Sequence, residues 1–428
     1  MHNLVTPQQY NTVGRLPHLR SLGNLSGRAV LVRVDFNVPL IDGKITDDLR
    51  VNAAIPTLQW LLDQGASVTA ITHLGRPRPI ESFKFSNNLC VDDNESSNVE
   101  KDAEARNAIT LNSATCFAQA NPFSLVAIQE RLTELVPGVE LAENLRFHPG
   151  EITNNNNFVK QLISSYDAYV NDAFGVSHRA HASIVGPPRF LPSAAGKLLT
   201  KEVEVLTKLR KSPRRPFVVV LGGSKVADKL GVILTLSEIA DSIIIGGGMC
   251  FTFLKAQGRS IGNSVCEDIL LKHCRNLLNS GVKIHLPSDT IALSPNGVLG
   301  DLDTGGEIIT TGADIPDGWL GADIGPRSAA MFNDIISKAG TVLWNGPMGV
   351  FEDSRFVNGT KAVASSLAKT QAFTVVGGGD SVAAVRQFGM EQRIGHVSTG
   401  GGATLEFMEK GDLPGLTALR KAIRHTIE

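Results

Sequence analysis

Short runs of β-branched and aliphatic residues, each closed by glycine or a polar turn and followed by a longer stretch of helical period, recur along this chain. Ala29 to Asp35, Ser67 to Thr72, Phe217 to Leu221, Ser242 to Ile245, Thr341 to Trp344 and Phe373 to Val376 are such runs. A strand that is apolar on both faces has to be covered on both, and a strand followed by a helix favours a parallel partner. The pattern therefore predicts an α/β chain with doubly wound parallel sheets. At 428 residues the chain exceeds one ordinary core, since about 150 residues per domain is usual, and two or three domains are expected. One helical stretch, Ala194 to Lys211, carries Leu198, Leu199, Val203, Leu206 and Leu209 and stops at Pro213 and Pro216. Arginine and histidine cluster before it and glycine after it. It is read as a connector helix, 194–211, between an N-terminal domain, 1–193, and a C-terminal domain that begins at 212.

The 41 basic and 42 acidic side chains leave a formal charge of −1, so no global field draws the chain to nucleic acid or an anionic membrane. Any anion site has to be local. The longest apolar runs fall far short of the ~18 residues a membrane helix needs. Cys90, Cys116, Cys250, Cys266 and Cys274 are odd in number and widely spaced, with no metal-ligand spacing, and read as idle or buried thiols of a reducing compartment, the cytoplasm. The first 34 residues lack Asp and Glu, as a transit segment would, but Pro7 and Pro17 interrupt any amphipathic helix and Arg28 and Arg33 belong to the first strand region. Residues 80–122 have no clean period and many Asn and Ser, and read as an irregular surface insertion.

Neither a Walker A loop nor G-x-G-x-x-G, H-E-x-x-H or G-x-S-x-G occurs, which weakens a dinucleotide dehydrogenase reading and leaves the local chemistry to be read directly. The second half holds four strand-to-glycine junctions, at Gly222-Gly223-Ser224-Lys225, Gly246-Gly247-Gly248, Gly377-Gly378-Gly379-Asp380 and Gly400-Gly401-Gly402. Glycine lets the backbone approach a ligand, and a helix starting just after it offers unpaired N–H groups to an anion. One such junction is explained equally well by close helix–strand packing. Four together suggest a phosphate chain across a shared sheet edge. Lys225 and Lys229, four apart, are expected on one helical face as a phosphate clamp. Asp380 reads either as the Mg2+ carboxylate for a di- or triphosphate or as a helix N-cap. Strand ends in the first half supply Arg33, Arg50, His73, Arg76, Arg146, His178, Arg179 and His181. Each arginine alone reads as a surface ion pair, whereas several aimed at one place suit a small, multiply anionic metabolite.

Taken whole, these strings resemble the phosphoglycerate kinase family from about Leu25 to the C-terminus. The resemblance is carried by Arg33-Val-Asp-Phe-Asn-Val-Pro39, His73-Leu-Gly-Arg-Pro77, Glu143-Asn-Leu-Arg-Phe-His148, Asn171-Asp-Ala-Phe-Gly175, His178-Arg-Ala-His181, Leu221-Gly-Gly-Ser-Lys-Val-Ala-Asp-Lys229, Trp344-Asn-Gly-Pro-Met-Gly-Val-Phe-Glu352, Gly377-Gly-Gly-Asp380 and His396-Val-Ser-Thr-Gly-Gly-Gly402. It implies two Rossmann-like domains facing across a cleft, the second spanning 212–404, with 405–428 returning to the first. It also implies reversible in-line transfer of the acyl phosphate of 1,3-bisphosphoglycerate to Mg-ADP, giving 3-phosphoglycerate and Mg-ATP, with domain closure. No general base is needed, because the attacking carboxylate is already ionised.

By matching positions the resemblance assigns 3-phosphoglycerate to Asp35, Asn37, Arg50, His73, Arg76, Arg146 and Arg179. It places adenine at Gly246 and Gly247, ribose at Glu352, and the phosphates at Lys229, Asn345, Gly378 and Gly379. Gly222, Gly223, Ser224, Gly321, Pro347, Gly349, Val350 and Ser381 complete the implied nucleotide surroundings, and Asp380 takes Mg2+. Lys225 meets the transferring phosphoryl, with Arg50 and the amides near Gly379 and Gly401 as further catalytic groups. A cytoplasmic monomer acting on small molecules, without nucleic acid or membrane partners, is implied. Ser224 and Ser381 stand where the family usually has Ala and Thr, and Ala322 replaces a larger apolar residue of the implied adenine wall. Only one helical pattern, Ser124 to Leu135, separates residues 80–122 from the strand run Val139 to Ala142, so the first sheet is expected to be a strand short and a helix is missing with it. That altered first domain leaves an alternative, a catalytically weak paralog that binds nucleotides or anions.

Overall fold

The computed structural model describes residues 15–79, 121–301 and 305–427, with side chains as far as Ala422. Contacts divide the chain into two units, residues 1–204 with 412–428 and residues 205–411. In the first unit β1 (Ala29–Arg33), β2 (Ser67–Ile71), β3 (Val139–Leu141), β4 (Ala168–Asn171) and β5 (Ser193–Ala195) form a parallel sheet in the order β3-β2-β1-β4-β5. Val30, Val32, Val68, Ala70 and Val170 pack in one core with Leu58 and Leu61 of α1 (Leu49–Asp63) and with Ile128 and Leu132 of α2 (Val126–Leu135). The chain runs from β1 outward to β2 and β3, then crosses to β4 on the other side. The order therefore reverses between β1 and β4, where an open α/β sheet leaves a crevice at its carboxyl edge.

Ser193–Ala195 pairs with β4 as a strand, so the connector helix, α3, runs from Lys197 to Lys211 and not from Ala194. In the second unit β6 (Phe217–Leu221), β7 (Ser242–Ile245), β8 (Lys283–His285), β12 (Thr341–Asn345), β13 (Phe373–Gly377) and β14 (His396–Val397) form a parallel sheet in the order β8-β7-β6-β12-β13-β14. Here the reversal falls between β6 and β12. Every residue of both strands is buried, as runs apolar on both faces require. β9 (Thr290–Leu293), β10 (Ile308–Thr311) and β11 (Leu320–Ile324) add an antiparallel sheet that the strand–helix alternation did not announce.

Helices of this unit that begin at or just after a glycine include α4 (Met249–Ala256), α5 (Gly379–Gln387) and α6 (Gly402–Lys410). The returning segment starts at 412 and not at 405, because α6 belongs to the second unit and stops at Gly411 in the left-handed conformation, φ 76°. α7 (Pro414–Ile427) then packs in the first unit, where Gly415 N donates to Ser177 O at 2.9 Å and Leu416 and Leu419 are buried. The insertion expected at 80–122, and with it the missing strand and helix, falls almost wholly outside the described residues. The five strands of the first sheet are therefore a count among the described residues.

The loop after β3 is tied down by one amide. Asn144 accepts from Leu74 N at 3.2 Å and Arg146 N at 3.1 Å and donates to Leu74 O at 2.8 Å and Phe123 O at 3.0 Å. Its neighbour Glu143 accepts from Ser124 Oγ and Leu125 N, both at 3.0 Å, at the start of α2. Asn144→Ala leaves four buried backbone groups without this partner and is expected to lower stability by about 2–4 kcal/mol. Urea unfolding read at the first unit's transition checks this, and an unchanged midpoint would contradict it.

Candidate active site

Four strand ends of the first sheet deliver cations to one place. Arg33, last in β1 and 1% exposed, donates from Nε to Ser183 Oγ at 2.9 Å and from Nη1 to Val34 O, and its Nη2 lies 3.2 Å from His73 Nδ1. His73 and Arg76 follow β2, Arg146 sits in the turn Leu145–Phe147 after β3, and Arg179 follows the turn Phe174–Val176 after β4. Burial, then the fields of Arg33, Arg146 and Arg179, hold His73 well below the usual histidine range. Burial followed by the same arginines depresses His181 to about 4, and burial followed by Arg179 and Arg33 lowers Arg146 to about 10. Asp35 and Glu151 are buried carboxylates that act on Arg33; Glu151 accepts from Ser183 N at 2.9 Å and Ser183 Oγ at 2.7 Å and lies 3.8 Å from His181 Nδ1. A cluster of like charge, partly buried and underpaired, suits an anion by its electrostatics.

The peptide of Gly75 joins this cluster to the loop after β1. Gly75 N donates to Asn37 Oδ1 at 2.8 Å, and Gly75 O accepts from Arg146 Nη1. Arg50 pairs with Asp35 Oδ2 at 3.0 Å and donates to Asn37 O at 3.2 Å. Two buried polar atoms have no partner here, Asp35 Oδ1 and Arg146 Nε. One acceptor and one donor thus stand ready for a ligand bearing both hydroxyl and anionic oxygens.

At the carboxyl edge of the second sheet the loops interlock through glycine. Gly222 N donates to Asn345 O at 3.0 Å and Gly223 N to Pro347 O at 2.9 Å. A Cβ at Gly222 would come within 2.0 Å of Pro347 O, and one at Gly246 within 2.6 Å of Met348 Sδ, so close loop packing requires these two glycines. Gly379 and Gly401 differ, since a Cβ there would meet nothing within 4 Å. A cavity of about 250 Å³ opens at this edge, with Lys225, Lys229, Asn345, Asp380, Gly379 and Gly401 in its wall. The amino ends of α5 and α6 border it, and the first amides of a helix lack carbonyl partners within it.

Lys229 Nζ donates to Gly222 O at 2.5 Å and Asn345 O at 3.2 Å, and burial, opposed by Asp380 and Asp228, lowers its pKa to about 8. Asn345 Nδ2, buried, has no partner. Lys225 is exposed and lies in the loop, one residue before Val226, where the turn to Ala227–Lys229 begins. The two lysines therefore do not share a helical face, because the helix after β6 begins only at Leu230.

A family model described as phosphoglycerate kinase matches residues 19–411. The phosphoglycerate kinase of Rubrobacter xylanophilus is 45% identical over 397 residues, which cover 92% of this chain and 96% of that one. That of Moorella thermoacetica is 45% identical over 400 residues, covering 92% and 97%. Among solved structures, that of phosphoglycerate kinase from Coxiella burnetii superposes with a TM-score of 0.76 at 33% identity, covering 95% of this chain and 99% of the other. The chain belongs to the phosphoglycerate kinase family. It is an enzyme, a phosphotransferase, and nothing in these comparisons favours the weak binding paralog.

Of the residues expected from the phosphoglycerate kinase resemblance, Asp35, Asn37, Arg50, His73, Arg76, Arg146 and Arg179 are linked by contacts or electrostatics at the first sheet's edge. Gly223, Ser224, Lys225, Lys229, Asn345, Pro347, Gly378, Gly379, Asp380, Ser381 and Gly401 line the cavity of the second. Gly222, Gly246, Gly247, Gly321, Gly349, Val350 and Glu352 lie outside it. Gly321 N donates to Ser264 Oγ at 2.9 Å, and a Cβ at Gly349 would strike Asp323. Ala322 is buried with Leu293 and Phe356, and Ser381 Oγ accepts from Gly346 N at 2.5 Å. Asp380 occupies the first turn of α5 without a side-chain cap bond, which excludes the N-cap alternative. Glu151 received no role from the sequence, and Arg33 and His181 only a place among the strand-end cations. A charged residue ending an otherwise apolar strand, as Arg33 does, was the available signal.

A phosphate beside Lys229 raises its pKa, so nucleotide affinity is expected to be constant below about pH 8 and to fall by up to tenfold per pH unit above it. Calorimetry in two buffers of different ionisation heat should detect proton uptake near pH 8. Lys229→Arg should flatten the slope, and a flat wild-type profile would contradict the assignment.

Proposed function

We propose that the two anion-accepting edges divide the substrates of one reaction, 3-phosphoglycerate to the first unit and the nucleotide to the second. The reaction is reversible transfer of the acyl phosphate of 1,3-bisphosphoglycerate to ADP, giving 3-phosphoglycerate and ATP. The observation that carries the residue assignment is the second unit's cavity, where a buried ammonium, the unpartnered Asn345 Nδ2 and two helix amino ends surround one space. That donor set suits a phosphate chain. In the first unit, Arg146 and Arg179 with neutral His73 take the substrate's phosphate, while Asp35 Oδ1 accepts its hydroxyl. Neutral at physiological pH, His73 acts as a hydrogen-bond partner and not as a charge.

Asp228 and Asp380 are the carboxylates at the cavity wall, Asp380 in the first turn of α5, and no group of three His, Cys, Asp or Glu that could hold a metal occurs among the described residues. So few carboxylates would suit an Mg2+ that arrives with the nucleotide, held by Asp380. An Mg2+ held there would supply positive charge against the phosphates. The attacking carboxylate is already ionised, so this chain's part is positioning and charge. Lys229 and Asn345 Nδ2 hold the phosphates in the ground state. Lys225, with Arg50 and the amides at Gly379 and Gly401, meets the phosphoryl in flight, while adenine and ribose lie toward Gly246, Gly247, Gly321, Val350 and Glu352. The balanced charge supports the absence of nucleic acid partners, and the free thiols of Cys250, Cys266 and Cys274 support a reducing compartment such as the cytoplasm. No helix among the described residues is long and apolar enough to cross a membrane.

Lys225→Ala should lower kcat by about 10² to 10³, with the dissociation constants of ADP and 3-phosphoglycerate nearly unchanged, because a group that acts only in the transition state lowers kcat and kcat/KM together. Lys229→Ala should chiefly weaken nucleotide binding. A Lys225 variant with wild-type kcat and raised nucleotide KM would reverse the two roles.

Asp380→Asn should weaken Mg-ADP more than metal-free ADP, since the lost charge acts on the ion. Equal losses by calorimetry would remove Asp380 from the metal site.

A further inference from the structure

The loop that carries Lys225 is held at both ends by one helix. At its start, Met249 N, the first amide of α4, donates to Gly223 O at 2.9 Å. At its end, Glu267 Oε2 accepts from Val226 N at 2.5 Å and Ala227 N at 3.2 Å. Glu267 is itself fixed to α4, because its backbone N donates to Oγ1 of Thr252, which is 1% exposed. Gly223, Met249, Thr252, Glu267 and Val226 thus close a ring of contacts, and Ser224 and Lys225 are the exposed residues spanning it. A carboxylate that takes two successive amides makes charge-assisted bonds and fixes the direction of the peptide planes between them. Val226 is fully buried just beyond, so the chain cannot slide along this anchor.

We propose that Glu267 is a positioning residue for phosphoryl transfer, setting where the Lys225 ammonium stands through the amides of Val226 and Ala227. The proposal rests on the reading of Lys225 given above. Glu267 stands outside the cavity wall and contributes no group to it, so it acts through the loop alone. Displacing a catalytic charge by about 1 Å costs up to ~10² in rate without weakening ground-state binding, which is the expected signature.

Steady-state kinetics of Glu267→Asp, Glu267→Gln and Lys225→Ala, and of the double variant Glu267→Asp with Lys225→Ala, test the proposal. Aspartate keeps the charge but withdraws the acceptor by one methylene, and kcat should fall about ten- to a hundredfold with both KM values within about threefold. Glutamine keeps an acceptor oxygen at full reach and should hold kcat within about threefold of wild type. The double variant should be no slower than Lys225→Ala alone, because a misplaced lysine that is absent costs nothing further. Wild-type kcat in Glu267→Asp beside an impaired Lys225→Ala overturns the positioning role alone. So do losses that multiply in the double variant, or a glutamine variant as slow as the aspartate one. Wild-type kcat in Lys225→Ala overturns the reading of Lys225 itself, and the positioning role with it.

Discussion

Lys229 reaches back from the turn after β6 and binds two carbonyls, Gly222 O and Asn345 O, at the ends of adjacent strands. Those carbonyls lie where the strand order reverses, so the ammonium pins the two loops that open at the switch point. An ammonium has three protons and two are taken, which leaves one for an anion. The rest of the second unit's site is built outward from this contact. Asn345 ends β12 beside it, Gly346 and Gly378 adopt positive φ values of 97° and 95° around it, and α5 and α6 begin at its rim. Burial lowers the lysine's proton affinity, and a phosphate placed beside it, as proposed above, would restore it.

The first unit reaches anion binding by the opposite route. Its sheet edge has side-chain cations in place of glycine turns, gathered around Arg33, which is buried and held by Ser183. Ser183 in turn donates to Glu151, and Tyr169 OH donates to Ser183 O at 2.7 Å. Glu151 is bonded to Ser183 and Asp35 is paired with Arg50, and Arg146 Nε is left without a partner. Backbone amides suit a long flexible phosphate chain, which needs many weak donors in a row. Guanidinium forks suit a compact acid with two charged ends.

Much of this was legible in the sequence, for definite reasons. Runs such as Phe217 to Leu221 are apolar on both faces, which only a covered parallel strand tolerates. Residues that end such runs must emerge at one sheet edge. The motifs at those ends, from Arg33 to Gly402, are long enough to identify the family, and the cations of one half and the glycines of the other were visible as separate chemistries. Helix limits were legible to within a few residues only, because Ser193–Ala195 satisfies a helical pattern and becomes a strand by pairing with β4.

What the tertiary structure alone decided is which groups are buried and what they touch. Two lysines four apart look alike in sequence, yet one lies in an exposed loop and the other is buried against two carbonyls, because the chain makes a tight turn before its helix begins. Two glycines of like strand-to-glycine junctions differ likewise: Gly222 admits no side chain because Pro347 presses on it, while Gly379 faces open space. Glu267 is forty-one residues from Val226, and only the packing of its loop on α4 brings them together. Sequence sets each residue's chemistry and the period that places it in a strand or helix. Desolvation and long-range contact, which turn that chemistry into a site, exist only once the sheets have closed over their strand ends.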